Sequence, residues 1–78
     1  MSDASSVEVL LATLNATDVG SLEAIVEKMG QVQRGLESRG ALELAGAAGA
    51  AVAALRRGDL TEFRRGRAFL QSKIGHLR

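Results

Sequence analysis

The sequence predicts an all-α protein, a small antiparallel bundle of one short helix followed by three longer ones. Apolar residues recur at steps of three and four, which is helical spacing. None of the 78 residues is proline, so little interrupts the helices. Glycine and small polar residues fall between the periodic segments. We expect a disordered N-terminus over residues 1–4 and a single helical domain over residues 5–78, with a hairpin of helices three and four.

The first helix is predicted from "SSVEVLLATLN". Ser5 and Glu8 have the spacing of a capping box, in which each side chain accepts a hydrogen bond from an amide of the first turn. Asn15 is the expected end of the helix, in a left-handed conformation. Four apolar side chains share one face of this helix: Val7, Leu10, Leu11 and Leu14.

The second helix begins at one of three capping candidates, Thr17, Asp18 or Ser21, since short oxygen-bearing side chains cap helix N-termini. Gly40 is the expected end. The apolar positions alternate between three- and four-residue steps, as in the seam of a helical bundle, and they are Leu22, Ile25, Met29, Val32 and Leu36.

The third helix is predicted from about Ala41 to Arg57, because Gly58 suits the residue after a helix and Asp59 suits the cap of the next one. Glu62 extends that cap into an acidic capping box. So short a connection predicts a tight antiparallel hairpin between helices three and four. The core face of the fourth helix comprises Leu60, Phe63, Leu70, Ile74 and Leu77.

The glycine-alanine segment "AGAAGAAVAAL", residues 45–55, raises the question of a phosphate-binding loop. A P-loop needs Lys and Ser or Thr after its last glycine, and neither follows Gly49. A dinucleotide-binding fingerprint needs a different glycine spacing and a preceding strand. "GAAG" matches the Gly-x-x-Gly of a KH loop, but that loop belongs to a mixed α/β domain. We therefore interpret the segment as a packing helix.

This third helix is apolar on two opposite sides, which is typical of a helix buried all round. Leu44, Ala48, Ala51, Val52 and Leu55 line one side. The opposite side is the predicted interface, and it comprises Leu42, Gly46, Gly49 and Ala53. We expect one flank to meet helices two and four, and the other to meet helix one or a second molecule. A Gly46 side exposed to solvent, with no neighbouring chain against it, would remove the case for an association module, and so would a strand anywhere between Ala41 and Leu55.

The sequence offers no candidate for catalysis, cofactor binding or metal binding. It contains no cysteine and one histidine, His76, which is expected to favour the negative end of the last helix. We therefore predict that the protein is not an enzyme and binds no cofactor, metal or small-molecule ligand. The longest apolar run is too short to cross a bilayer, and no secretory signal is recognisable. A cytoplasmic location without membrane association is the expectation.

Charge is distributed unevenly along the chain. Residues 1–55 carry three basic and seven acidic side chains, and residues 56–78 carry seven basic and two acidic ones, so the balance changes from −4 to +5. The segment "FRRGRAF", residues 63–69, combines basic and aromatic residues, a pattern that nucleic-acid-binding proteins use. The candidate contacts to a partner or a nucleic acid are Arg64, Arg65, Arg67 and Lys73.

Arg67 has a second interpretation, because it occupies an otherwise apolar position of the fourth helix. Its stem is expected to lie along the apolar face while its head reaches solvent or pairs with an acidic residue of helix two. The alternative is a buried interface contact, where arginine is enriched.

The preferred function is a non-catalytic protein–protein interaction module, such as a small adaptor, co-chaperone or regulatory subunit. We expect it to be a homodimer or to bind a larger protein through the Gly/Ala-rich helix, because so small a chain has a thin core. The alternative is a small DNA- or RNA-binding regulator that uses the basic fourth helix.

Overall fold

A computed structural model describes residues 6–77, and throughout this part of the chain the secondary structure is helical, with no strand. Four α-helices follow one another: α1 (Val7–Asn15), α2 (Leu22–Ser38), α3 (Leu42–Arg56) and α4 (Leu60–Gly75), with a 3-10 turn (Ala16–Asp18) after α1. The prediction of an all-α fold is confirmed. The expected disordered N-terminus, residues 1–4, lies outside the described residues, as does Ser5.

Asn15 is the last residue of α1, as predicted, but the predicted cap and the predicted conformation of Asn15 are wrong. Ser6, not Ser5, is the N-cap, and its hydroxyl accepts a hydrogen bond from the Val9 amide at 3.3 Å. Glu8 therefore lies in the first turn but not at the capping-box position. Asn15 keeps a right-handed conformation (φ −64°), because the chain tightens into the 3-10 turn instead of reversing. The buried Thr17 hydroxyl closes this turn by donating to the Leu14 carbonyl at 2.6 Å.

The predicted ends of α2 and α3 are confirmed. Ser21 caps α2 by accepting from the Ala24 amide at 3.1 Å. Gly40 and Gly58 both adopt the left-handed conformation, with φ of +79° and +80°. After Gly58, the Asp59 amide donates to the Ala54 carbonyl at 2.9 Å, which is the hydrogen bond of a Schellman motif. The Asp59 side chain then caps α4 by accepting from the Glu62 amide at 3.1 Å.

The helices pack in the order of the chain. α1 contacts α2 and α4, while α3 lies against α2 and α4 on its two sides. Cα atoms of α1 and α3 do not approach within 8 Å, nor do those of α2 and α4. Every helix contributes to one buried core, whose large members include Leu10, Leu14, Met29, Val32, Leu36, Phe63, Leu70 and Ile74.

The contribution of α3 to this core consists mostly of alanine. The buried residues of α3 are Ala45, Ala48, Ala51, Ala54 and Leu55, and the expected neighbours Leu44 and Val52 are half-buried. The expectation that α3 is enclosed on both sides is wrong within the chain, because α1 does not reach it. The periodic pattern correctly assigned the inner side, but it did not determine which helix would cover the outer one.

Candidate interaction surface

The outward side of α3 carries no charged side chain between Glu43 and Arg56. Leu42 is 68% exposed, and Gly46, Ala50 and Ala53 are also exposed. We call these four residues the open α3 face. A methyl group added at Gly46 would meet no atom within 4 Å, so nothing in the described chain covers this face.

Of the four predicted interface residues, Leu42, Gly46 and Ala53 lie on the open α3 face and Gly49 does not. Gly49 is half-buried, and a Cβ there would lie 3.3 Å from Nε2 of Gln33 on α2. Its glycine is therefore explained by contact between α2 and α3. Ala50 lies on the outward side instead. It is four residues after Gly46 and three before Ala53, so helical spacing places it on their face, but the sequence analysis considered only the glycines there.

A groove of about 290 Å³ borders the open α3 face on its α4 side. Phe69 forms one wall and is 45% exposed, which is unusual for so large an apolar side chain. Glu62 and Arg65 form the polar rim, and their side chains pair at 3.3 Å. We call this feature the α3–α4 groove, and its lining residues are Ala47, Ala50, Ala51, Glu62, Arg65, Gly66 and Phe69.

The groove is positioned by a close approach of α3 and α4. A Cβ at Gly66 would lie 3.2 Å from the Cβ of Ala51 and 3.8 Å from its Cα. Gly66 therefore lets the α4 backbone lie directly on Ala51. Sequence reasoning expected such an approach at Gly46 and Gly49 and missed Gly66, whose neighbours in the sequence are arginines.

The four predicted basic contact residues do not form one patch. Successive residues of a helix are rotated by about 100°, so Arg64 and Arg65 point in different directions and Lys73 lies on the side of α4 opposite Arg64. Lys73 lies over the Phe69 ring, with Nζ 5.8 Å from its centroid. Arg65 pairs with Glu62. Within residues 6–77, Arg64 and Lys73 make no ion pair or side-chain hydrogen bond, and Arg64 also lacks the ring contact that Lys73 makes.

Arg67 belongs to the intramolecular contact between α4 and the turn after α1. Its guanidinium pairs with the Asp18 carboxylate, and the Arg67 side chain is only 20% exposed. The expected carboxylate partner is thus present, but it lies on the 3-10 turn and not on helix two. One turn further along α4, the Gln71 amide donates to the side-chain oxygen of Asn15 at 2.8 Å. Together, the two contacts fasten α1 and the turn after it to α4.

Other polar groups form no recognisable site in the described part of the chain. Among residues 6–77, no group of three or more His, Cys, Asp or Glu side chains is placed to hold a metal ion. A second, shallow groove of about 180 Å³ lies between α2 and α3, lined by Leu22, Glu23, Val26, Glu27 and Arg56. No helix within residues 6–77 has the length and apolarity needed to cross a bilayer.

Comparisons with protein-family models, with curated proteins and with solved structures found no match to this chain. Its function is therefore argued from the geometry of the chain alone.

Proposed function

We propose that this protein is a non-catalytic protein–protein interaction module that binds through the open α3 face and the adjoining α3–α4 groove. The expected role is that of a small cytoplasmic adaptor, co-chaperone or regulatory subunit, either self-associating or bound to a larger protein. One observation carries the proposal: two large apolar side chains, Leu42 and Phe69, are exposed on α3 and in the groove beside it.

The surface has the composition of the centre of a protein interface. Such centres are depleted in charge and enriched in aromatic side chains, with a polar rim around them. Here the centre is formed by Gly46, Ala50 and Phe69, and the rim by Glu62 and Arg65. Because glycine in a helix interior costs about 1 kcal/mol relative to alanine, its presence at the uncovered position 46 also favours a requirement for close approach by a partner.

The proposed surface depends on the direction of α3 and α4. We propose that the bundle is antiparallel and that these two helices form a hairpin. The connection between the helices is short, and it consists of Arg57, Gly58 and Asp59. The Asp59 amide completes the Schellman motif at the end of α3, and the Asp59 side chain caps α4. In a hairpin the groove runs along both helices, so a partner would contact α3 and α4 together.

The test compares two arginine substitutions at exposed alanines. Ala50→Arg places a cation at the rim of the groove, and Ala12→Arg is the matched control on α1, which does not touch α3. Tagged versions are expressed in the native cell, cross-linked, and their partners identified by mass spectrometry. We expect a cross-linked partner, either a second copy of the chain or another protein, to be retained by wild type and Ala12→Arg and lost by Ala50→Arg. The same partners with all three chains would contradict the proposal, provided circular dichroism shows that all three are folded.

The nucleic-acid alternative has less support from the geometry. Arg67 is held by Asp18, and the other three basic side chains point to different sides of α4. A mobility-shift experiment at low salt tests it, because binding through phosphates weakens steeply as salt is added. We expect no shift. A salt-sensitive shift that Arg64→Ala removes would favour the alternative.

A further inference from the structure

We propose that the α3–α4 groove is occupied by a second copy of this chain, with the α4 helices of the two copies antiparallel across a two-fold axis. The proposal rests on the proposed function, since it names the partner of the same surface. It is carried by four α4 residues, Glu62, Gly66, Phe69 and Lys73, which we call the 62–73 stripe.

The 62–73 stripe occupies one edge of α4. Its members are separated by four, three and four residues, so they fall on one side of the helix. Glu62, Gly66 and Phe69 together line the groove, and Lys73 lies over the Phe69 ring. The stripe therefore faces outward beside α3, and along α4 it spans about 16 Å at a rise of 1.5 Å per residue.

The shape of the stripe is self-complementary. A two-fold interface places the same patch of both subunits face to face, so each protrusion needs a depression at the symmetric position. Phe69 and Gly66 lie equally far from the point midway between Arg67 and Ala68. In an antiparallel pair centred there, the protruding Phe69 ring of each copy lies level with Gly66 of the other. The low surface around Gly66, continued by Ala47 and Ala50, is the floor of the groove.

The charges of the stripe obey the same symmetry. Glu62 and Lys73 also lie equally far from the point between Arg67 and Ala68, and both are exposed. Antiparallel pairing therefore brings Glu62 of each copy near Lys73 of the other, at both ends of the interface. A parallel pairing would place like charges together, which is unfavourable. Arg65, which pairs with Glu62 in its own chain, lies at the rim and leaves this complementarity intact.

The interface is small, and the expected dimer is weak. Stable interfaces bury about 800 Å² on each partner, and smaller ones are typical of transient complexes. The α3–α4 groove is about 16 Å long and lies on only two helices, so we expect each copy to bury less area than that. We therefore expect a dissociation constant on the order of 0.1 mM, so the measurement needs protein from about ten-fold below to ten-fold above this concentration.

Sedimentation equilibrium of the full chain tests the proposal. The wild-type mass is expected to rise from 8.2 kDa toward twice that value as concentration increases. Phe69→Ala is expected to weaken association at least about tenfold, because buried aromatic anchors dominate interface energies. Val19→Ala is the control, since Val19 is an exposed apolar residue outside α3 and α4. It is expected to give the same mass as wild type at every concentration.

Charge reversal tests the antiparallel arrangement itself. Glu62→Lys alone and Lys73→Glu alone are each expected to weaken association about fivefold, and the double variant is expected to recover it, since the new pairs again have opposite charge. Glu8→Lys is the matched control, another exposed acidic residue in the first turn of a helix. Circular dichroism checks that each variant is folded.

Three results would overturn the proposal. The first is a wild-type chain that stays at 8.2 kDa throughout the range. The second is association that Phe69→Ala leaves unchanged, and the third is a double reversal that does not recover what the single reversals lose. The proposed function fails separately, when Ala50→Arg and Ala12→Arg retain the same partners in the cell. A monomer whose capture of another protein is sensitive to Ala50→Arg would thus refute self-association only.

Discussion

Replacing two glycines of similar helical position by alanine gives the sharpest stability prediction. At Gly46 the added methyl group meets open space, and at Gly66 it comes within 3.2 Å of the Ala51 Cβ. Both changes gain about 1 kcal/mol of helix propensity. At Gly46 nothing opposes this gain. At Gly66, α3 and α4 must separate by a few tenths of an ångström, and such overpacking typically costs about 1–3 kcal/mol.

We therefore expect the free energy of unfolding to rise by about 1 kcal/mol for Gly46→Ala and to stay unchanged or fall for Gly66→Ala. A domain of this size has a total stability of about 4–12 kcal/mol. A change of 1 kcal/mol in the free energy of unfolding shifts the melting temperature of such a domain by about 4–8 °C. The assay is urea denaturation followed by circular dichroism at about 5 µM protein, where self-association with a dissociation constant on the order of 0.1 mM contributes little.

Equal gains at both positions would refute the close contact between Gly66 and Ala51. A loss of stability for Gly46→Ala would refute the open α3 face, because it would mean that the chain itself covers Gly46. Either result would remove the geometry on which the α3–α4 groove depends.

Three further predictions concern the core, a turn and an ion pair. Met29→Ala is expected to lower the free energy of unfolding by about 2–5 kcal/mol, since Met29 is fully buried; a urea midpoint unchanged from wild type would contradict the core assignment. Gly58→Ala is expected to cost about 1–2 kcal/mol because φ is +80° there, and a thermal melt that shows no loss would contradict this turn conformation. Asp18→Asn is expected to cost less than about 1 kcal/mol, because the Asp18 side chain is 66% exposed and solvent screens its pairing with Arg67. That loss should shrink in 0.5 M salt, and a loss independent of salt would contradict an ionic contribution.

The sequence predicted the elements well where local chemistry decides the outcome. Gly40, Gly58 and Asp59 end or begin helices through hydrogen bonds made within a few residues. Met29 and Leu70 reach the core because apolar spacing defines a face. Leu22 and Leu60 were predicted on the same faces but are 52% and 50% exposed, since each is the first residue of its helix. The cap was assigned to Ser5 and not Ser6 because both serines can cap a helix and Glu8, three residues after Ser5, favoured Ser5. The hydrogen bond from the Val9 amide identifies Ser6 as the cap.

The residues of the candidate surface were predicted only in part, because their positions depend on which helices meet. α3 is apolar on both sides, and its periodicity does not reveal that α1 contacts α2 and α4 instead. Gly49 was assigned to the open flank for the same reason, although Gln33 lies against it. The Gly46 side of α3 is exposed to solvent within the described chain, so the expected burial of the whole helix is no longer an argument for association. What supports association is the exposure of Leu42 and Phe69, together with the symmetry of the 62–73 stripe.

The central claim is that the outward surface of α3 and α4 binds protein. Proton–nitrogen correlation spectra of the labelled chain test this claim most directly. The spectra are recorded at about 20 µM and about 1 mM protein, which bracket a dissociation constant on the order of 0.1 mM. They are then repeated with any captured partner. The predicted result is that the amides of Ala47, Ala50, Gly66 and Phe69 shift while those of Glu8 and Ala12 on α1 stay in place. Shifts centred on α1, with the α3–α4 groove unchanged, would contradict it.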